Sequence, residues 1–233
     1  RERINKVLTF ICSIITTAKD INNINLVLGI DDDDPKLDHY LKIAQNLDFI
    51  QVVRYPEGLI EEIGLCGLWN VMAEQTTNEI IAMVGDDMKF ETPDWDEKIL
   101  KEFSNKEDNF YLIHCNDGMR GPGNKYANVP PLAVNSFIHR DYVDTVGHYM
   151  EEVEPNTFGD TYLDKVFELL NRKIYFHDIM IRHMHFSEYG GKDQVSVNIE
   201  KTREGIWDDP TFFQEKLMPE ILKEVEIIKA KIV

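Results

Sequence analysis

Cysteine is scarce in this chain, and the three present, Cys12, Cys66 and Cys115, each lie inside an apolar segment. Thiols placed this way read as small core residues, which excludes a disulfide framework or a zinc cluster and fits a reducing compartment. Long apolar runs are also lacking. No stretch reaches the roughly 18 residues that a membrane helix needs, so no transmembrane segment is expected and the chain reads as soluble and cytoplasmic. Positive charge is short as well: 25 Lys and Arg stand against 42 Asp and Glu, a net charge of -17. That balance argues against nucleic acid as a partner, because its binders present a basic face. An initiator Met is missing too, since the chain opens Arg1-Glu2-Arg3, which is compatible with a targeting segment upstream.

What is present is an alternation of short apolar runs and amphipathic segments. Ile4, Val7, Leu8, Ile11, Ile14 and Ile15 recur at helical spacing, so the chain begins within a helix. A β-rich run, Ile24 to Ile30, then stops at the acidic cluster Asp31-Asp-Asp-Asp-Pro35. A helix through Leu37 to Ala44, a strand at Phe49 to Val53 and a helix over Ile63 to Ala73 continue the alternation. Such alternation predicts one α/β domain over residues 1–233 with a mainly parallel sheet flanked by helices. In the second half, Phe110 to Cys115, Leu132 to Ile138 and Lys173 to His185 read as strands and Asp160 to Leu170 as a helix. Asn116 to Pro131 reads as a mobile loop, and a terminal helix from Pro210 to Lys231 is expected to break at Pro219.

The densest chemistry lies after the strand Glu79 to Val84, which ends at Gly85-Asp86-Asp87-Met88 before a helix announced by Thr92-Pro93-Asp94-Trp95. Two carboxylates at a strand's carboxyl end sit on the edge where open α/β sheets bind ligands. A hard divalent cation takes one or two such carboxylates and fills its other positions with phosphate and water. The high negative charge supports a cation on independent grounds, since a diphosphate would otherwise be repelled. Taken alone, the pair reads more simply as a solvated turn. The earlier cluster strengthens the site reading, because neighbouring parallel strands would bring Asp31 and Asp33 to the same edge.

Other candidates carry plain structural alternatives. His183 and His185 fall two apart in Ile181-Arg-His-Met-His-Phe186 and would share one face of a strand; either could reach a metal, and for His183 a packed core role is the simpler reading. Asp160 opens its helix, where an acid caps backbone N–H groups or, if buried, serves as a general base. Gly118, Gly121 and Gly123, and Gly190 with Gly191, are candidate hinges of lids. Trp69, Trp95 and Trp207 read as packing residues that could also stack on a sugar.

Together Val27 to Pro35, Met83 to Trp95 and the late His-x-His resemble the GT-A glycosyltransferases, in particular the family 2-like enzymes. The resemblance implies a Rossmann-like nucleotide-sugar-binding half at 1–115, and an acceptor-binding half with the C-terminal helix at 116–233. It implies that Asp31 and Asp33 bind the nucleoside, that Asp86 faces ribose, and that Asp87 holds Mn2+ or Mg2+ with His185 nearby. Asp160 maps to the family's base, and Asn70, in Gly64-Leu-Cys-Gly-Leu-Trp-Asn70, lies on a helix that starts beside the donor. Met88 stands where a full Asp-x-Asp motif has its second acid, and the family's first strand should precede the helix with which this chain opens. The implied reaction is inverting transfer of a sugar from a nucleotide diphosphate, UDP foremost, to an acceptor hydroxyl of a glycan or other molecule. Two alternatives remain: a non-catalytic carbohydrate- or cation-binding module, and a sugar nucleotidyltransferase.

Overall fold

The computed structural model describes residues 3–152, 158–185, 197 and 211–232. The chain opens with α1 (Ile4–Thr17), whose buried face is Val7, Phe10, Ile11 and Ile14, the stripe that the spacing predicts. A β1 (Leu26–Asp31), α2 (Leu37–Asn46), β2 (Ile50–Tyr55) unit follows, and its two strands pair in parallel from Leu26 opposite Ile50 to Asp31 opposite Tyr55. Helix α3 (Leu59–Glu74) kinks at Gly64, where φ of 68° is open to glycine at little cost.

The remaining strands form a second sheet. They are β3 (Ile80–Ala82), β4 (Met88–Phe90), β5 (Leu112–Asn116), β6 (Ser136–His139) and β7 (Lys173–His183), in the order β3-β6-β5-β7-β4. Between them run α4 (Trp95–Ser104), α5 (Arg140–Val146) and α6 (Gly159–Leu169), and the chain closes with a π-helical turn (Phe213–Leu217) leading into α7 (Met218–Lys229). Pro219 lies in the first turn of α7, where its missing N–H costs least, so the expected break falls at the junction of the π turn and the helix.

The expected α/β architecture with flanking helices is what folds, but the larger sheet is mixed and not mainly parallel. Strands β5 and β7 run parallel, whereas β3–β6, β5–β6 and β4–β7 are antiparallel. The reason lies in the connections. No helix separates β5 from β6, and without the helical crossover that usually joins parallel strands the chain returns antiparallel. Apolar runs reveal strands but not their direction.

The larger sheet carries core on both faces. Leu112 and Ile138 face a cluster with Tyr142, Leu163, Val166, Phe167, Ile221 and Ile228. Ile113 and Phe137, one position along each strand, face a second cluster with α1, Phe90, Trp95 and Ile99. There a run of tilted rings, Phe10–Phe90–Trp95–Phe137, has centroids 6.1, 4.4 and 6.0 Å apart. Burying each such ring or aliphatic side chain contributes about 1.5–3 kcal/mol. Between β1 and β3 lies an apolar cavity of about 200 Å3, bordered by Leu26, Val27, Ile80 and Ile81, so the two sheets are not joined by strand pairing.

Thr92 does not cap α4 as expected. Its hydroxyl accepts from the Met180 N–H at 2.8 Å, and the helix begins after Asp94, which adopts φ of 57°. Asp96 instead turns back to accept from the backbone N–H groups of Lys19 and Asp20, at 2.7 and 3.0 Å.

Candidate functional site

The segment after β3 runs Met83 to Asp87 and turns directly into β4, so Asp86 and Asp87 stand at the rim of the larger sheet. Gly85 permits the turn, since a Cβ there would meet Asp87 Oδ1 at 2.7 Å. Asp87 is fixed from two sides: its carbonyl accepts from Met184 N–H at 2.7 Å, and its Oδ2 lies 3.5 Å from His183 Nε2. Arg3, at the start of α1, sends its guanidinium to Asp86 Oδ1 at 2.8 Å and Asp87 Oδ2 at 3.7 Å. The helix N-terminus itself favours anions, which adds to the attraction.

These neighbours divide the two acids. Burial pushes the Asp86 carboxyl up, Arg3 opposes it, and the charge of Asp87 adds to the rise. Burial also pushes Asp87 up, but the hydrogen bond and charge of His183, with Arg3 and Lys6, outweigh it and leave this carboxyl below its ordinary value. Asp87 is therefore the member that stays ionised most readily, as a metal ligand must.

The earlier acidic cluster is not delivered as expected: β1 and β3 belong to different sheets, so neighbouring parallel strands do not carry Asp31 and Asp33 to the Asp86–Asp87 edge. Asp31 is the last residue of β1 and Asp33 an exposed loop residue. Asp32 pairs with Arg54 at 2.6 Å, and Asp34 is buried with its carboxylate accepting from Lys36 N–H at 2.7 Å. The buried Tyr40 hydroxyl lies beside the Arg3 backbone and within the fields of Asp34 and Asp86; burial first, then those two charges, raise it to about 12. One phenol thus feels both acidic segments.

His183, read from sequence as a core residue, is half-buried against Asp87, and its Nδ1 has no hydrogen-bond partner among the described residues. His185 follows with its ring centroid 5.3 Å from that of His183. Strand alternation carried the signal that the two share a side, but not which ring touches the acid. Arg3 and Tyr40 carried no motif at all and were missed, and Asp34 lay within the acidic cluster without being the member favoured.

Asn70 spends its whole side chain on the segment ahead of α6. Its carbonyl accepts from the N–H groups of Tyr149 and Met150 at 2.9 and 2.8 Å, and its amide donates to Met150 O and Glu152 Oε1 at 2.9 and 2.7 Å. Asp160 opens α6 with Oδ1 accepting from Thr161 N–H at 2.7 Å; among the described residues no hydrogen bond or ion pair joins it to Asp86 or Asp87. The middle loop is internally bonded, with Asp117 accepting from Met119 and Arg120 N–H and Asn116 from Gly118 N–H. Gly118, Gly121 and Gly123 take φ of 75°, 85° and 83°. Gly190, Gly191 and Trp207 lie outside the described residues.

Asp86, Asp87 and His183 offer oxygen and nitrogen donors of the kinds that Mn2+ takes, and the position next to them is held by the Arg3 guanidinium.

No family model matches the sequence, and no curated protein does. The fold, however, is shared with solved structures. Residues 1-349 of TarS from S. aureus match with a TM-score of 0.60 at 11% identity, over 94% of this chain and 73% of that one. The same protein in complex with UDP-GlcNAc matches at 0.57 and 11%, over 96% and 76%. GalNAc-T7 with UDP, GalNAc and Mn2+ matches at 0.53 and 13%, over 97% of this chain and 52% of that one. These are GT-A glycosyltransferases, and the fold described above is theirs.

Proposed function

We propose that this chain is a metal-dependent glycosyltransferase that moves a sugar from a nucleotide diphosphate, UDP in the first instance, to an acceptor hydroxyl with inversion. The observation that carries the reading is the joint placement of Asp86, Asp87, Arg3 and His183 at the sheet rim. Two solved structures of the same fold are complexes with UDP-GlcNAc, or with UDP, GalNAc and Mn2+, which supports the donor class. A cytoplasmic setting fits three free cysteines, and among the described residues no helix is long and apolar enough to cross a membrane.

In this reading Asp31 and Asp33 accept hydrogen bonds from the nucleoside, and Asp86 accepts from ribose hydroxyls. Asp87 and a histidine of the 183–185 pair, His185 or His183, hold Mn2+ or Mg2+. A cation held there would supply positive charge against the leaving diphosphate. Asp160 takes the proton of the acceptor hydroxyl as that oxygen attacks the anomeric carbon. Asn70 acts by fixing residues 149–152 ahead of α6, and so the approach to Asp160.

The test is UDP release from a panel of UDP-sugars with a hydroxyl acceptor. Release that requires Mn2+, stops in EDTA and is lost in Asp87→Asn supports the proposal; equal release in EDTA contradicts the metal role. The Arg3 ion pair favours one second reading, a module that binds sugar nucleotide or cation without transfer, which predicts thermal stabilisation by UDP and Mn2+ with no product.

A further inference from the structure

A second cluster of metal-ligating groups sits away from that rim, where α7 packs on α5 and α6. Glu224 of α7 is 3% exposed, yet it is a carboxylate among apolar neighbours such as Ile221, Val225 and Ile228. Its Oε1 accepts from the Tyr142 hydroxyl of α5, and its Oε2 accepts from the Tyr162 hydroxyl of α6 at 2.9 Å. The same Oε2 lies 3.1 Å from His148 Nε2, and that nitrogen lies 3.6 Å from Glu151 Oε2.

Charge does not balance at this place. His148 feels Glu224, Glu151 and Glu152, and the Tyr162 hydroxyl feels Glu224, Glu151 and Glu220. Among the described residues no Lys or Arg pairs with Glu151, Glu152 or Glu224, so a single imidazole faces several carboxylates. A buried carboxylate without adequate positive charge is costly.

Distances give the ligand class. Nitrogen and oxygen donors about 2.1 Å from a tetrahedral ion stand about 3.4 Å from one another. The separations of 3.1 and 3.6 Å bracket that edge, and one donor atom from each of His148, Glu151 and Glu224 lies within 4.8 Å of the others. The two phenols donate to Glu224 from behind, which orients its carboxylate as hydrogen-bonded partners orient the ligands of built metal sites.

The geometry points to a second divalent-cation site, of the zinc class, formed by His148 Nε2, Glu151 and Glu224 and distinct from the Asp86–Asp87 rim. An ion there ties α7 to the turn after α5, whose next residues Asn70 also holds. The site is structural in this account, and its existence does not depend on the transferase reading.

The experiment uses the full chain, stripped with chelator, dialysed against Zn2+ and analysed by elemental stoichiometry, with Co2+ substitution as an optical probe of tetrahedral coordination. The Asp87→Asn variant keeps one tightly held Zn2+ and shows tetrahedral Co2+ bands. Glu151→Gln weakens Zn2+ binding by more than the roughly 10–100-fold lost when an outer-shell partner is removed. Its metal-free melting temperature does not fall below that of the metal-free parent, because Glu151 is partly exposed and losing one carboxylate eases the charge imbalance. The inference is overturned if Asp87→Asn holds no Zn2+, or if Glu151→Gln binds it as tightly as the parent.

Discussion

Arg3, at the N-cap of α1, reaches to within 2.8 Å of Asp86, so the acid pair at the sheet rim carries a built-in counter-ion from a separate helix. Removing it leaves a largely buried carboxylate already pushed up by burial and by Asp87. Arg3→Gln is expected to cost about 1.5–3 kcal/mol of stability, the range for a hydrogen bond to a charged group. The same variant should gain more from Mn2+ than the parent does, because the ion replaces the missing charge. Thermal unfolding at neutral pH with and without Mn2+ checks both; an equal Mn2+ shift in the two proteins contradicts competition between Arg3 and the ion.

Asn70 supports a second prediction. Four hydrogen bonds run from its side chain to Tyr149, Met150 and Glu152. Each is worth about 1 kcal/mol net, so Asn70→Ala should lower stability by about 2 kcal/mol or more. Under the transferase reading it should lower kcat more than donor affinity, since it loosens the approach to Asp160. Denaturant unfolding and steady-state kinetics separate these, and a pure loss of donor affinity would return Asn70 to the donor site.

How much of this was legible in the sequence depends on whether a neighbour along the chain carried the information. Helical spacing in Ile4 to Ile15 gave α1, and the apolar run before Gly85 gave β3 together with the placement of Asp86 and Asp87 at its end. Strand direction was not legible, because β6 and β4 are three or four residues whose pairing depends on what the intervening loops permit. Arg3 and Tyr40 were illegible for a related reason: Arg3 pairs with Asp86 from one helix and Tyr40 feels its charge from another, and no local pattern encodes an interaction across more than forty positions. The His183–His185 pair was half-readable, since alternation fixed their common side while only the register of Met88 opposite His183 brings one ring to Asp87.

That same antiparallel pair of β4 and β7 supports a pH prediction. Arg182 donates to Glu91 at 2.8 and 3.0 Å and, ahead of burial and with Lys89, holds the Glu91 carboxyl below its ordinary 4.5. A depressed acid binds its proton less readily in the folded state than in the unfolded one. Its stabilisation is therefore full above about pH 5, and is lost as pH falls through 4.5 and below. Glu91→Gln should remove that part of the acid-side slope while leaving the slope above pH 6 unchanged, as read from unfolding midpoints across pH; an unaltered acid limb would contradict the pairing.

The claim on which the function rests is that the rim carboxylates grip a nucleoside diphosphate only through a shared cation. Calorimetric titration of UDP into the protein with Mn2+ and then in EDTA tests it most directly. The account predicts at least roughly tenfold tighter binding with Mn2+, about 1.4 kcal/mol, and loss of that difference in Asp87→Asn. Equal affinity with and without the ion, or a difference that survives Asp87→Asn, would contradict it.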